Sequence, residues 1–560
     1  MITEFQSPGG RLYWSECRWR TASSEVRKAG LKSGTYTRRA QTHTAFMNIV
    51  LISTYELGRQ PFGLVSPAAW LRKRGRGVTC LDLTRQTLDA GAIAAAELIA
   101  IYLPMHTATR LAAQLIPELQ RLNPRAHLCC YGLYAPMNIE LLRSLGVQTL
   151  LGGEFESGLV DLAEQLNPAE LVNLAEQVSS LPEKAWPSGN ETAPYVQAQP
   201  LISLERLAFE VPDRAGLPPI EKYAHLLIPG DGFRLVGSTE ASRGCKHLCR
   251  HCPIVPVYQG VFRVVQREVV LEDVRRQVAA GAQHISFGDP DFFNGIGHAL
   301  EIIKLFHEEF PAITYDATIK IEHLKKYSQH LATLRDTGCL FVISAVESVD
   351  NAFLAILDKG HTREDFLAVV ETFRNLGMTL HPTFVPFSPW TTMEGFLDLL
   401  RVMHEENLVE NVAPIQLGIR LLIPAGSRLL ELAEVQGLVG PFDASSLVFP
   451  WVHRDARMDA LSAEIQQIAA SADAQKLSRS AAFGKIWQAA HAAAGVVAPV
   501  LKAQRASVPV PFLSEPWYCC AEPTAAQFVS IGASSSKVAV VPVAKPAPAK
   551  HPPVSADQFV

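Results

Sequence analysis

Three cysteines stand close together in the stretch Arg243-Gly244-Cys245-Lys246-His247-Leu248-Cys249-Arg250-His251-Cys252-Pro253. Cys245, Cys249 and Cys252 present three thiolates from one loop, enough to hold three irons of a four-iron four-sulfur cluster and leave the fourth iron open. A cluster that only carries electrons is normally closed by four cysteines, and no fourth cysteine lies within tens of residues of this loop. The open iron suits a small molecule that chelates through an amine and a carboxylate. Other readings of the same thiols stay open. With His247 or His251 they could complete a three-cysteine, one-histidine zinc site, although zinc modules usually draw their ligands from two separated pairs. A non-catalytic metal or electron-transfer protein would use them with a closed coordination sphere. A disulfide framework is the weakest reading.

The elements that must hold this loop show in the periodicity. At 560 residues and 48% hydrophobic composition, the chain can bury several cores. Residues 1–46 are rich in Arg, Ser and Thr and read as a disordered or non-native extension, with translation starting at Met47. From 47 to 166, short apolar runs alternate with helical periodicity. Strands are expected at Ile49–Ser53, Val78–Asp82, Leu98–Leu103, His127–Tyr131 and Val147–Leu151, the pattern of a doubly wound parallel sheet in an α/β protein. Proline-rich residues 167–232 read as a connector. A second alternation over 233–426 places strands at Phe233–Ser238, His284–Gly288, Ile313–Ile319, Leu340–Val346, Thr379–Val385 and Ile415–Leu422, six β-α steps with the cysteine loop directly after the first. Active sites of such barrels lie at the carboxyl ends of the strands. A helical region over 427–510, a Cys-Cys segment over 511–530 and a disordered Ala-, Pro- and Lys-rich tail over 531–560 complete the chain.

Formal charge of −4 without a basic block gives no indication of nucleic acid. No apolar run of about 18 residues predicts a membrane span. Ten cysteines without a disulfide pattern point to a reducing, cytoplasmic setting.

The cysteine loop resembles the hallmark of the radical S-adenosylmethionine superfamily: Cys, three residues, Cys, two residues, Cys. The family usually has an aromatic residue just before the last cysteine, where this chain has His251. Residues 47–166 resemble the cobalamin-binding domain that precedes the barrel in one branch of the superfamily, and Pro516-Trp517-Tyr518-Cys519-Cys520-Ala521-Glu522-Pro523 resembles the tail of a narrow family with a Cys-Cys-Ala-Glu-Pro or Cys-selenocysteine-Ala-Glu-Pro signature. The resemblance implies an N-terminal cobalamin-binding-like sheet, a partial (β/α)6 barrel and a helical C-terminal region. It implies an enzyme that binds a [4Fe-4S] cluster through Cys245, Cys249 and Cys252 and cleaves S-adenosylmethionine to a 5'-deoxyadenosyl radical, then abstracts hydrogen or transfers a methyl group. Cobalamin is left open, because the Asp-x-His-x-x-Gly element whose histidine ligates cobalt in many such domains is missing. Contact points toward cobalamin would include Thr54 and His106.

By the same resemblance, Gly288 and Asp289 match the element that meets the amine of the bound methionine, and Ser344, Glu347 and Ser348 the position that meets its carboxylate or ribose. Lys320 with Glu322, and Lys359, read more simply as surface groups. His381, Thr383 and Ser388 are weaker candidates facing substrate, and Gly152-Gly153-Glu154 reads as a turn into a helix. Cys519 and Cys520 would be a reactive pair, since selenocysteine in relatives stands where Cys520 stands here and an ionised chalcogen does the work. The implied partners are a peptide or small-molecule substrate and an electron donor such as flavodoxin or ferredoxin.

Overall fold

In the computed structural model, residues 47–166, 199, 201–502 and 509–515 are described. The expectations for 1–46, for most of 167–200, and for Cys519, Cys520 and the tail lie outside the described residues. The first sheet runs β2-β1-β3-β4-β5-β6, with every neighbouring pair parallel. Its strands are β1 (Asn48–Ser53), β2 (Gly77–Asp82), β3 (Leu98–Tyr102), β4 (His127–Tyr131), β5 (Thr149–Gly153) and β6 (Leu201–Ser203). The central β3 and β4 are buried throughout, as strands covered on both faces must be.

Helices α1 (Phe62–Lys73), α2 (Ala90–Ala95), α3 (His106–Leu122), α4 (Ile139–Ser144) and α5 (Glu156–Gln165) pack on the two faces. In α3, Ala112, Leu115, Ile116 and Leu119 are buried, the i, i+3, i+4, i+7 stripe of a half-buried helix. Strand order reverses between β1 and β3, and ligands of such sheets bind in the crevice at that switch, beyond the carboxyl ends of the strands. The last strand lies two residues later than expected, and β6 comes from the stretch read as connector.

The second sheet runs β14-β13-β12-β11-β8-β7-β15. Here β8 (Gly232–Thr239), β11 (His284–Phe287), β12 (Thr314–Thr318), β13 (Cys339–Glu347) and β14 (Thr379–Phe384) are parallel neighbours, while β7 (His225–Ile228) and β15 (Phe512–Leu513) extend the β8 edge antiparallel. The expected sixth strand at Ile415–Leu422 does not form. Pro414–Gly418 is a 3-10 turn, and one parallel bridge, Phe387 to Arg420, marks the sixth position. Pro414 has no N–H to give a ladder, which favours the turn.

A short hairpin of β9 (Ser242–Gly244) and β10 (Phe262–Val264) pinches off the segment 245–261 that carries the cysteines. Gly244 sits at φ +71, and a Cβ there would meet the Tyr258 ring and the Val261 carbonyl. Only glycine closes this hairpin without displacing its base. Both sheets belong to a single compact unit.

Candidate active site

The carboxyl ends of both sheets face one cavity of about 300 Å³. Cys245, Cys249 and Cys252 all line it. From the first sheet come Glu56, Tyr102, Met105, Tyr134 and Phe155, clustered about the β1/β3 switch; from the barrel come Gly288, Asp291, Lys320, Glu347 and Lys359.

The cysteine loop is held at several points. Arg250 N donates to the Leu357 carbonyl at 2.9 Å, Ser427 Oγ to the Arg250 carbonyl at 3.2 Å, and Arg428 Nη1 to the Leu248 carbonyl at 3.0 Å. Lys246 N donates to Asn294 Oδ1 at 3.3 Å. Burial and the Asp291 carboxylate push the Cys245 thiol up to about 11, so its thiolate needs a nearby positive charge, as a metal provides. No disulfide joins the described cysteines. Three thiols from one loop on one cavity, with no fourth cysteine on its wall among the described residues, fit a cluster with an open iron. They fit a zinc site less well. Cys245, His247 and Asp291 do bring ligand atoms within 4.8 Å of one another, but that set includes one cysteine of the three, and His251 is tied to Glu347 at 3.1 Å.

Glu347 ends β13 at φ +68, a conformation rare and strained for a residue with a side chain. A register shift between Ala345 and Glu347 accompanies it, and bulges of this kind re-aim side chains beside active sites. Burial opposes ionisation of Glu347, but Lys359 Nζ at 3.2 Å and His251 at 3.1 Å prevail and hold its carboxyl near 2. Asp291 is likewise opposed by burial and held near 2 by His247 and His323, at 3.4 and 2.6 Å. Both carboxylates are therefore ionised across the physiological range.

Several expected residues are placed elsewhere. Asp289 is absent from the cavity wall; its Oδ2 accepts from Ala241 N at 2.9 Å and its Oδ1 from Ser242 Oγ at 2.6 Å. Its carboxylate thus supports the strand leading into the cysteine loop and is not turned to a ligand amine. Gly288 does line the wall. Ser344 is fully buried in β13, off the cavity, and Ser348 accepts from Asp350 N at 3.0 Å in the following turn. Thr54 Oγ1 donates to the Ala108 carbonyl at 2.8 Å, and His106 Nε2 lies 2.7 Å from the Ser446 carbonyl. Neither lines the cavity, and burial pushes His106 down to about 4. Ser388 bonds Thr391 at 2.8 Å. Conversely, Lys320 and Lys359, read as surface groups, are buried and face the cavity.

Sequence reading missed the group that joins the two sheets at this point. Arg243, two residues before Cys245, is 6% exposed and ion-paired to Glu154 at 3.2 Å, Glu156 at 2.7 Å and Glu240 at 2.8 Å. Its guanidinium lies 4.8–5.4 Å from the ring centroids of Phe62, Phe155 and Phe209, and Tyr258 Oη donates to Glu154 at 3.2 Å. Glu154, read as a turn residue, is thus the first domain's hold on the cysteine loop. The available signal was a Gly-Gly-Glu at a strand end and an arginine in the cysteine motif, with nothing to link them.

Burial outweighs Arg243 at Glu154 and raises its carboxyl to about 7. A raised folded-state value means that the native protein binds the proton more tightly than the unfolded chain, so this group's contribution to stability falls as pH rises from about 4.5 to 7. Glu154→Gln is expected to flatten that part of the stability–pH curve, as measured by urea denaturation at several pH values. An unchanged curve would contradict it.

Residues 239–402 match the family model of the radical SAM superfamily, so the cysteine loop and β11 to β14 lie in a radical SAM domain. Across both sheets the fold is similar to that of the cobalamin-dependent S-adenosylmethionine radical enzyme OxsB, solved with aqua-cobalamin (TM-score 0.58, 15% identity, 77% of this chain and 68% of that one). It is also similar to the radical S-adenosylmethionine methyltransferase TsrM from Kitasatospora setae, solved with its tryptophan substrate and a SAM analog (TM-score 0.52, 17% identity, 69% of this chain and 76% of that one), and with cobalamin and a [4Fe-4S] cluster (TM-score 0.51, 16% identity, 71% and 77%). Among the described residues no helix is long and apolar enough to cross a membrane.

Proposed function

We propose that this chain is a radical S-adenosylmethionine enzyme whose cluster is held by Cys245, Cys249 and Cys252. The observation that carries the reading is the convergence of these three thiols, without a fourth among the described residues, on the cavity that both sheets face. Once bound and reduced, the cluster supplies one-electron cleavage of S-adenosylmethionine to a 5'-deoxyadenosyl radical. The chain's own groups bind and orient. Lys320, paired to Glu322 at 3.0 Å, supplies an ammonium for the methionine carboxylate, and Glu347, kept ionised, accepts from ribose hydroxyls. Gly288 leaves room for close approach at the strand end. The apolar wall of Tyr102, Met105, Leu133, Tyr134 and Phe155 excludes water.

Cobalamin belongs, on this reading, at the first-sheet wall of the same cavity. Among the described residues that wall presents no imidazole or thiol, and the Met105 thioether is its one sulfur. The same observation favours a second reading, hydrogen abstraction without cobalamin. Cobalt, iron and sulfide analysis of anaerobically purified protein separates the two: one cobalt per chain supports the first, and full iron loading without cobalt the second. A substrate of peptide or small-molecule class, a flavodoxin or ferredoxin as electron donor and a cytoplasmic setting accompany the proposal.

The Cys-Cys-Ala-Glu-Pro tail family is the finer assignment we propose, with Cys519 and Cys520 acting on substrate. Glu515, the last described residue, accepts from Tyr55 Oη at 2.8 Å and packs at Gly58, beside Leu57 and Arg59 of the cavity wall. Five further residues reach roughly 17 Å, enough to bring Cys520 to the cavity. Cys520→Ser is expected to keep cluster absorbance and 5'-deoxyadenosine formation while substrate conversion is lost. Full conversion by that variant would leave the thiol without a chemical role.

A further inference from the structure

A second cavity, of about 540 Å³, lies on the barrel side of the first. The two share Leu57, Arg59, Ile343, Thr383 and Gln416. Along β13 and β14 the order is regular: Phe341 and His381 line only the second cavity, Ile343 and Thr383 line both, and Ala345 and Val385 line only the first. Alternate residues of a strand share a face, and each residue rises about 3.3 Å. The two cavities are therefore stacked along the barrel interior, with roughly 13 Å from Phe341 to Ala345.

The far cavity has apolar walls, including Phe341, Ile415, Ala469 and Phe512, and the cation of Arg479. Arg479 lies 4.1 Å over the Phe512 ring and donates to the Glu410 backbone carbonyl at 2.6 Å. No carboxylate is within ion-pair distance of it among the described residues; the Glu410 carboxylate instead accepts from Ser480 N at 3.1 Å. Burial lowers Arg479 to about 10, outweighing the opposing pull of the Glu410 charge, as for a cation without a direct ion pair. His381 is wall and not ligand, because its ring nitrogens each lie 2.8 Å from a carbonyl, of Asn411 and Pro511. The other charges on the wall are Arg59, the exposed Asp473, and Glu515, which is engaged by Tyr55 and by Arg85 at 3.7 Å.

We infer that this second cavity is the substrate site and that it takes a molecule with an apolar body and a terminal carboxylate, the carboxylate on Arg479 and the body running toward the shared wall. This rests on the proposed function, since it puts the reacting carbon at the boundary with the cysteine cavity. The carboxylate is fixed at the end remote from the radical source, so selectivity for position along the body would be set by distance from Arg479.

The test is calorimetric titration of the full-length, cluster-loaded protein with octanoate, octylamine and octanol. Octanoate is expected to bind at least tenfold more tightly than either of the others, and to lose roughly tenfold or more in Arg479→Gln, the size of a lost charge-assisted hydrogen bond. Arg479→Lys should recover part of the loss, and Ala470→Trp, at the exposed rim of the cavity, should weaken binding. Equal affinity for octanoate and octylamine, no binding of any of the three at millimolar concentration, or unchanged octanoate affinity in Arg479→Gln would each overturn the inference. If the Gln variant fails to fold, the head-group series on the unaltered protein decides. Cleavage of S-adenosylmethionine is measured on the same preparation. Cleavage without octanoate preference overturns this inference alone, and octanoate preference without cluster or cleavage overturns the proposed function alone.

Discussion

Alanine at Cys245, Cys249 or Cys252 is expected to remove the brown cluster chromophore and 5'-deoxyadenosine formation together. Each thiolate closes one iron, and among the described residues no other cysteine lines the cavity to replace it. The nearby imidazoles are otherwise engaged: His251 by Glu347, and His247 between Asp291 and Glu322, both at 3.4 Å. Activity should fall below detection, and iron from about four per chain toward zero. The fold should survive, because the loop is anchored by its backbone and by Arg250, Ser427 and Arg428, none of which is altered. Circular dichroism and urea denaturation of the iron-free variant check that point. Retention of four irons by the triple variant would overturn the assignment, and iron loss with global unfolding would show that the thiols serve the fold.

Arg243→Ala carries the second large effect, expected in stability before activity. One guanidinium pairs with Glu154, Glu156 and Glu240 in a site closed by three aromatic rings. Removing one partner of a buried ion pair costs about 3–5 kcal/mol, because the remaining charge is left without compensation. Burial already raises the Glu154 and Glu240 carboxyls, which can take up a proton once the cation is gone, so the lower part of that range is expected. Arg243→Lys should recover part, with one ammonium unable to reproduce the forked contacts, and adding Glu156→Gln to Arg243→Ala should restore some stability through relief of repulsion. Cluster occupancy should drop as well, since the loop loses its tie to the first sheet. A change within about 0.5 kcal/mol of the parent protein, the range of ordinary surface substitutions, would show that the network contributes little.

The parts of this structure that sequence periodicity reveals are those governed by local rules. β1 to β4 and the five parallel barrel strands follow from apolar runs broken by turn residues, and the place of the cysteine loop after the first barrel strand follows from its position in that alternation. The site is less legible where contacts are distant or geometry is irregular. Arg243 meets carboxylates 89 and 87 residues earlier in the chain, a pairing that no window of sequence contains. Glu347 faces the cavity because of a bulge and a left-handed residue, neither of which its strand-like sequence announces. Asp289 was assigned by motif position, yet an aspartate after a strand can turn to a ligand or back to the preceding loop, and here two nearby donors, Ala241 N and Ser242 Oγ, take both its oxygens. Lys320 and Lys359 show the converse. Lysines are usually exposed, and only the cavity between the two sheets accounts for their burial.

The short pairing of β15 with β7 has a consequence for the order in which the protein is made. β7 and β8 emerge from the ribosome long before Phe512 and Leu513, and domains generally fold from the N-terminus as they are synthesised. Until those last residues arrive, β7 presents an unpaired strand edge and the wall contributed by Phe512–Glu515 is missing. Exposed edges of this kind invite pairing with other chains. A chain truncated before Pro511 would retain the cysteine loop and both sheets but leave that edge bare, so full-length synthesis is itself the step that seals the sheet against aggregation.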